Sequence, residues 1–316
     1  MSVNNFKNLI QYKLLTLNKE FKKIKCNNGP EHEFLLKNGF CSCPICGFSK
    51  NITDVLPIAA IVRMFPELTS DFNAFLEEYH KQKISYLAIY KTAFLFYREN
   101  IQNNEEAKEY AIKRGFYGAG YASEGGLYDY LKSVGFSKEE ILMSGLCIKN
   151  KAGGVYDFFR NRIMFPIFDY DKNVVAFAGR IINQVDTAKY LNTKNSDYFK
   201  KGNLLYGLHF FRKDTKVKNL FICEGYADVH TMIRNGYPAV CTMGVALSDK
   251  QYEKAFSIAE NVYLVYDGDR AGQEAIARTT EKFSNLKTVA LPEGLDPDEF
   301  FKKYSKEDFE EVLNNV

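Results

Sequence analysis

Two acidic turns carry the chemistry this chain could perform. Leu220-Phe221-Ile222-Cys223 runs into Glu224-Gly225-Tyr226-Ala227-Asp228, and Val262-Tyr263-Leu264-Val265-Tyr266 runs into Asp267-Gly268-Asp269-Arg270-Ala271-Gly272. Each begins as a short apolar run that reads as a buried strand, and an amphipathic helix pattern follows each. In open α/β sheets, ligands bind outside the carboxyl ends of the strands, so acids delivered there by two strands can converge on one point. Carboxylates without His or Cys make an all-oxygen site, which suits magnesium or manganese. The glycines let the backbone turn sharply and let a phosphate come close. Any one of these acids could equally be the N-cap of the helix after it. Two such turns, with a helix-strand-helix pattern between them, make coincidence a poor account.

The elements that must position these acids alternate. Residues 219–223, 238–242, 262–266 and 287–291 read as strands, and 226–235, 248–259 and 270–284 as helices, an order that predicts a parallel, doubly wound α/β sheet. A third acidic turn, Gly294-Leu295-Asp296-Pro297-Asp298-Glu299, follows the last apolar stretch. The pattern of a Glu in one strand-turn and Asp-x-Asp in a later one resembles the TOPRIM fold of topoisomerases and primases.

An upstream series narrows the resemblance. Phe158-Phe159-Arg160-Asn161-Arg162-Ile163-Met164-Phe165-Pro166 is followed by Ala178-Gly179-Arg180, Lys189-Tyr190-Leu191-Asn192 and Lys201-Gly202-Asn203-Leu204-Leu205-Tyr206-Gly207. In this order the motifs resemble the RNA-polymerase domain of bacterial and phage DnaG-type DNA primases, over roughly residues 85–300. Asn203 departs from the family, which usually carries Arg there.

Charge is distributed unevenly along the chain. The whole carries +3, but residues 151–218 hold 13 basic against 6 acidic side chains, and residues 219–316 hold 10 against 17. A basic segment beside an acidic one fits a template backbone held by one part and metal with triphosphate by the other. A solvated Lys-rich surface would give the same count. The 46% apolar content over 316 residues supports two or three domains with real cores, and no apolar run is long enough to span a membrane. Met1-Ser2-Val3-Asn4-Asn5-Phe6-Lys7 lacks the layout of a signal peptide, so a cytoplasmic location is expected.

Seven cysteines fall into two groups. Cys147, Cys223 and Cys241 sit among apolar neighbours and read as small core residues. Cys26, Cys41, Cys43 and Cys46 crowd the first part of the chain, which points to metal rather than to disulfides. Cys43-Pro44-Ile45-Cys46-Gly47 has the shape of a zinc knuckle. The resemblance implies three Cys and one His in a structural zinc site, hence Cys26, His32, Cys43 and Cys46. Five residues separate Cys26 from His32 where the family usually has two, which leaves Cys41 as a rival to His32.

The expected organisation is a zinc-binding domain over residues 1–80, a mixed α+β basic subdomain over 81–218 and a TOPRIM domain over 219–316. Tyr79-His80-Lys81-Gln82-Lys83 is the expected linker. Leu87, Tyr90, Phe94 and Tyr97 predict a helix running to about 115, Ser137 with Glu140 a capped helix start, and residues 155–182 a hairpin turning at Tyr170-Asp171-Lys172-Asn173.

The resemblance implies DNA-dependent synthesis of short RNA primers on single-stranded DNA by two-metal nucleotidyl transfer. Glu224, Asp267 and Asp269 are the implied catalytic acids, holding magnesium together with Asp228, Asp296 and Asp298. Arg160, Arg162, Arg180, Lys189, Asn192 and Lys201 are implied along the template or nucleotide path. Partners would be single-stranded DNA, ribonucleoside triphosphates and the replicative helicase, with no membrane. Only a short helical pattern follows Asp298, so the expectation is a catalytic core with weak intrinsic template affinity, recruited through its zinc unit or a separately encoded helicase. Two other readings are a TOPRIM nuclease or topoisomerase-like enzyme and a non-enzymatic zinc-plus-TOPRIM recombination mediator.

Overall fold

A computed structural model describes residues 6–7, 9–10, 13–14, 20–25, 33–37, 40–42, 49–51, 61, 63–65, 68–183, 188–211, 216–244 and 246–314, with backbone alone for the stretches between 20 and 51. The chain divides into two compact units, Met1–Ile84 and Ser85–Val316. In the first, strands β1 (Glu20–Lys25), β2 (Glu33–Lys37), β3 (Phe40–Ser42) and β4 (Ser49–Asn51) form an antiparallel meander. The zinc candidates Cys26, His32, Cys43 and Cys46 lie outside the described residues, and Cys41 falls in β3.

Helix α1 spans Thr69–Gln102. The expected linker at Tyr79–Lys83 is inside it and helical, next to the boundary between the two units after Ile84. Charge alone does not break a helix: Glu, Lys and Gln are good helix formers, and no Gly or Pro occurs between Pro66 and Gly115. After α1 come α2 (Glu105–Lys113), β5 (Gly120–Ala122), α3 (Leu127–Ser133), α4 (Lys138–Ser144), β6 (Cys147–Lys149) and β7 (Val155–Asp157). Ser137 and Glu140 form the expected capping box at the start of α4.

The basic segment builds a second antiparallel sheet. Strands β8 (Arg162–Phe168) and β9 (Val174–Ile181) are the two arms of the expected hairpin, with β5 and β10 (Tyr190–Asn192) at the edges. Asp169 ties the turn by accepting from the Asp171 and Asn173 amides. One sheet face packs against α1, where Tyr90 and Tyr97 meet Phe177, and the Tyr86 and Tyr90 hydroxyls donate to the carbonyls of Val175 and Ser144.

The last part is a parallel sheet in the order β12-β11-β13-β14, from β11 (Val217–Cys223), β12 (Ala239–Cys241), β13 (Ala259–Val265) and β14 (Lys287–Thr288). Between and after them run α5 (Tyr226–Arg234), α6 (Asp249–Ile258), α7 (Arg270–Lys282), α8 (Pro297–Lys303) and α9 (Lys306–Asn314). The two-residue period of a strand sorts the core. Phe221, Cys223, Tyr263 and Val265 share a cluster with Val229, Met232, Phe300 and Phe309 from α5, α8 and α9. Leu220, Ile222, Val262 and Leu264 pack with Ala255 of α6 and with Phe283 and Leu286 beyond α7. Both faces are covered, which is why these strands read as unbroken apolar runs. The first cluster also contains Tyr121, Phe165 and Tyr206, so the basic sheet and the parallel sheet share one core. Cys147, Cys223 and Cys241 are buried free thiols, as expected.

Candidate active site

Strands β11 and β13 end side by side, Cys223 opposite Val265, so Glu224 and Asp267 emerge as neighbours. The Asp267 amide donates to Glu224 Oε1 at 3.2 Å. Asp269 caps α7 by accepting from the Gly272 amide at 2.8 Å, and Asp296 caps α8 by accepting from the Glu299 amide at 2.7 Å. Capping and a metal-binding role are compatible, because a carboxylate has two oxygens and about four lone-pair sites.

Glycine brings these turns together. A Cβ on Gly268 would stand 2.3 Å from the Pro292 carbonyl oxygen, and the Gly268 amide donates to Leu295 at 2.9 Å. The turn carrying Asp296 is thereby drawn against the turn carrying Asp267 and Asp269. A Cβ on Gly272 would stand 2.1 Å from the Asp267 carbonyl oxygen, so the first turn of α7 also presses on the acidic loop.

The electrostatics follow from this crowding. Burial, then the charges of Glu224, Asp296, Asp269 and Glu299, push Asp267 up to about 6. Asp228, whose carboxylate accepts from the Gly225 amide at the start of α5, is pushed up to about 8 by burial and by Asp296 and Asp267. Among the described residues no three such groups stand close enough to grip one ion as they are. They do interact through mutual repulsion, and a divalent cation would relieve it. The donor set is all oxygen, so the residues fit magnesium or manganese.

Asp298 is placed differently. Burial would raise it, but Lys302, Arg114 and Thr231 hold it below the usual carboxylate range. Arg114 Nη2 lies 2.9 Å and Lys302 Nζ 2.7 Å from Oδ2, and Thr231 Oγ1 donates to Oδ1 at 2.9 Å.

The basic candidates separate into exposed and anchored groups. Arg160 and Lys189 are exposed, with Arg160 lying over the Tyr156 ring. Arg180 is held by two tyrosines, Nε donating to Tyr110 and Nη1 to Tyr190 at 2.9 Å each, with its guanidinium against Phe116. Arg162 is anchored more deeply. It is buried, and Nη1 donates to the carbonyls of Gly179, Ala188 and Lys189, so it braces the backbone that carries Lys189. Arg160, Asn161 and Arg162 still line a cleft of about 330 Å³ with Glu124, Phe158 and Leu191. Lys201 sits in a short 3-10 turn whose carbonyl accepts from Gln251 of α6.

Side-chain contacts of the buried and half-buried groups near the acidic turns help join the basic and acidic halves. The Tyr226 hydroxyl donates to Asn192 Oδ1, Tyr206 bonds His230 at 2.8 Å, and Arg114 pairs with Asp298. Sequence reasoning missed Arg114 and Tyr226. The one signal for Arg114, a basic pair before Gly115, reads equally well as ordinary helix-end chemistry.

Comparison with known proteins follows the same division. The family described as DNA primase catalytic core, N-terminal domain matches residues 96–212, and Toprim-like matches 221–301. A solved DnaG primase catalytic domain bound to ssDNA is 31% identical, covers 75% of this chain and 82% of that one, and superposes with a TM-score of 0.68. The chain belongs to the DnaG-type primase family. DNA primase of Clostridium acetobutylicum is 37% identical over 257 residues, covering 75% of this chain. That match takes in 42% of the clostridial primase, so the chain spans less than half the length of this curated relative. The Aquifex aeolicus primase structure with zinc binding and RNA polymerase domains covers 98% of this chain and 85% of that one, at 25% identity and a TM-score of 0.67. The parallel sheet with its acidic turns is the Toprim part of this DnaG-type chain. Among its described residues, no helix is long and apolar enough to cross a membrane.

Proposed function

We propose that this chain synthesises short RNA primers on single-stranded DNA, as a DNA-directed RNA polymerase of primase type. The observation that carries the reading is that Glu224 and Asp267 emerge side by side from adjacent strand ends, with Asp269 two residues further on, beside a basic sheet that shares their core. Glu224, Asp267 and Asp269 hold magnesium or manganese, with Asp228 and Asp296 tuning the site. When bound, the cations supply a more acidic 3′-hydroxyl nucleophile and neutralise the triphosphate and the leaving pyrophosphate.

The chain's own residues do the positioning. Arg160 and Lys189 present exposed cations to the template backbone. Arg180, fixed by Tyr110 and Tyr190, offers a phosphate contact of defined direction. Asn192, its carbonyl oxygen taken by Tyr226, turns its amide donors to substrate, and Lys201 adds a point charge near α6.

The working division is a zinc domain over 1–80, the basic subdomain over 81–218 and the Toprim domain over 219–316. Zinc is structural, held by Cys26, His32 or Cys41, Cys43 and Cys46. The relative solved with a zinc binding domain supports this part of the reading. The chain works in the cytoplasm, recruited to template by the replicative helicase.

The test incubates the protein with mixed-sequence single-stranded DNA, labelled ribonucleotides and magnesium, and sizes the products on a gel. Short labelled RNA is expected. Cleaved DNA would support a Toprim nuclease, and DNA binding without product would support a recombination mediator.

A further inference from the structure

The three acidic turns do not form one uniform set. Asp267 and Asp228 are raised by burial and then by neighbouring acids, and the carboxylates of Asp228, Asp269 and Asp296 accept from backbone amides. Asp298 faces the other way. Its side chain is 8% exposed, and its two oxygens are taken by Arg114, Lys302 and Thr231. A metal ion would have to displace two cations to reach it.

Arg114 follows the last residue of α2, in the basic half of the molecule. Its guanidinium lies 5.7 Å from the centre of the Phe116 ring, and the guanidinium of Arg180 lies 5.7 Å from the same centre. Two like charges therefore share one ring. Arg114 has a carboxylate partner, while Arg180 is bonded to two tyrosine hydroxyls. The Arg114 carbonyl accepts from Arg234 of α5, whose other nitrogen reaches Thr231. Asp298, Thr231, Arg234 and Arg114 thus form a closed ring of contacts between α8, α5 and the end of α2.

We propose that Asp298 is a positioning residue rather than a metal ligand: it holds Arg114 against Phe116, fixing the basic half at the acidic turns and leaving the charge of Arg180 for the substrate triphosphate. The inference rests on the metal-dependent nucleotidyl transfer proposed above. Neutralising Asp298 would release Arg114 to repel Arg180 and loosen the triphosphate path, while Glu224, Asp267 and Asp269 would keep their cations.

The experiment compares wild type, Asp298→Asn, Thr231→Val and Asp267→Asn. It reads manganese binding by electron paramagnetic resonance, together with KM and kcat for ribonucleotide incorporation. In Asp298→Asn and Thr231→Val, manganese affinity should stay within about threefold of wild type while KM for nucleotide rises about tenfold, the signature of lost substrate binding rather than lost chemistry. In Asp267→Asn, manganese affinity should fall by about tenfold or more. Arg114→Ala combined with Asp298→Asn should cost little more than either alone, because the two act through one contact. Loss of manganese affinity in Asp298→Asn to match Asp267→Asn would overturn the proposal, as would additive effects in the double variant. Should Asp298→Asn fail to fold, Thr231→Val carries the test, since it leaves every charge in place. Wild type that bound no manganese would overturn the underlying reading, and this inference with it.

Discussion

Replacing Asp267 with Asn should make the metal-free protein more stable while removing its activity. Asp267 is raised from 3.8 to about 6, first by burial and then by Glu224, Asp296, Asp269 and Glu299. A shift of about two pH units corresponds to about 3 kcal/mol of unfavourable interaction in the ionised native state. The group is half-buried, so solvent screening reduces this to roughly 1–2 kcal/mol. The sign follows from proton linkage. Between pH 3.8 and about 6 the native state binds more protons than the unfolded chain, so stability falls as pH rises through that window. The advantage of Asn is therefore fully present above about pH 6 and shrinks toward pH 3.8. For a unit of this size, 1 kcal/mol moves Tm by about 2–4 °C, so at pH 8 in EDTA the variant should melt about 2–8 °C above wild type. Scanning fluorimetry at pH 8 and pH 4, with EDTA and with magnesium, measures this directly. Magnesium should raise the wild-type Tm more than that of the variant. A variant that melted below wild type at pH 8 in EDTA would refute the argument, because Asp267 would then be a stabilising structural acid.

Other outcomes follow from the same geometry. Lys189→Ala and Lys201→Ala should each flatten the log–log salt dependence of single-strand binding by about 0.7, and salt titration of binding checks it. Gly268→Ala should lose several kcal/mol of stability and most activity, since its Cβ would fall 2.3 Å from the Pro292 carbonyl oxygen; chemical denaturation and primer synthesis both report this. Cys43→Ser or Cys46→Ser should release one zinc per chain and destabilise the first 80 residues before the rest, as read by elemental analysis and limited proteolysis.

Much of the Toprim part and of the basic subdomain was legible because the signals there are local and strong. Strands buried on both faces appear as apolar runs, and capping boxes appear as Ser-x-x-Glu, as at Ser137 and Glu140. The β8–β9 hairpin was visible from the polar turn between two apolar runs. The stretch Tyr79–Lys83, beside the boundary between the two units, is helical because a charged, Gly- and Pro-free stretch satisfies helix propensity as well as it satisfies a linker. Within the site, sequence placed the acids at strand ends but could not tell which are paired. The partners of Asp298, Arg114 and Thr231, lie 184 and 67 positions away, and no local pattern encodes that distance. The bracing contacts of Arg162 are hidden for the same reason. Its type and motif suggest phosphate, and only the fold shows its Nη1 donating to the carbonyls of Gly179, Ala188 and Lys189.

The central claim is that Glu224, Asp267 and Asp269 carry out metal-dependent RNA synthesis at the strand ends. The most direct measurement takes wild type and Asp269→Asn, and reads ribonucleotide incorporation with magnesium alongside single-stranded DNA affinity on the same preparations. Wild type should make short RNA that EDTA abolishes, and Asp269→Asn should make none while binding DNA within about twofold of wild type. Near-wild-type synthesis by Asp269→Asn in magnesium would contradict the account.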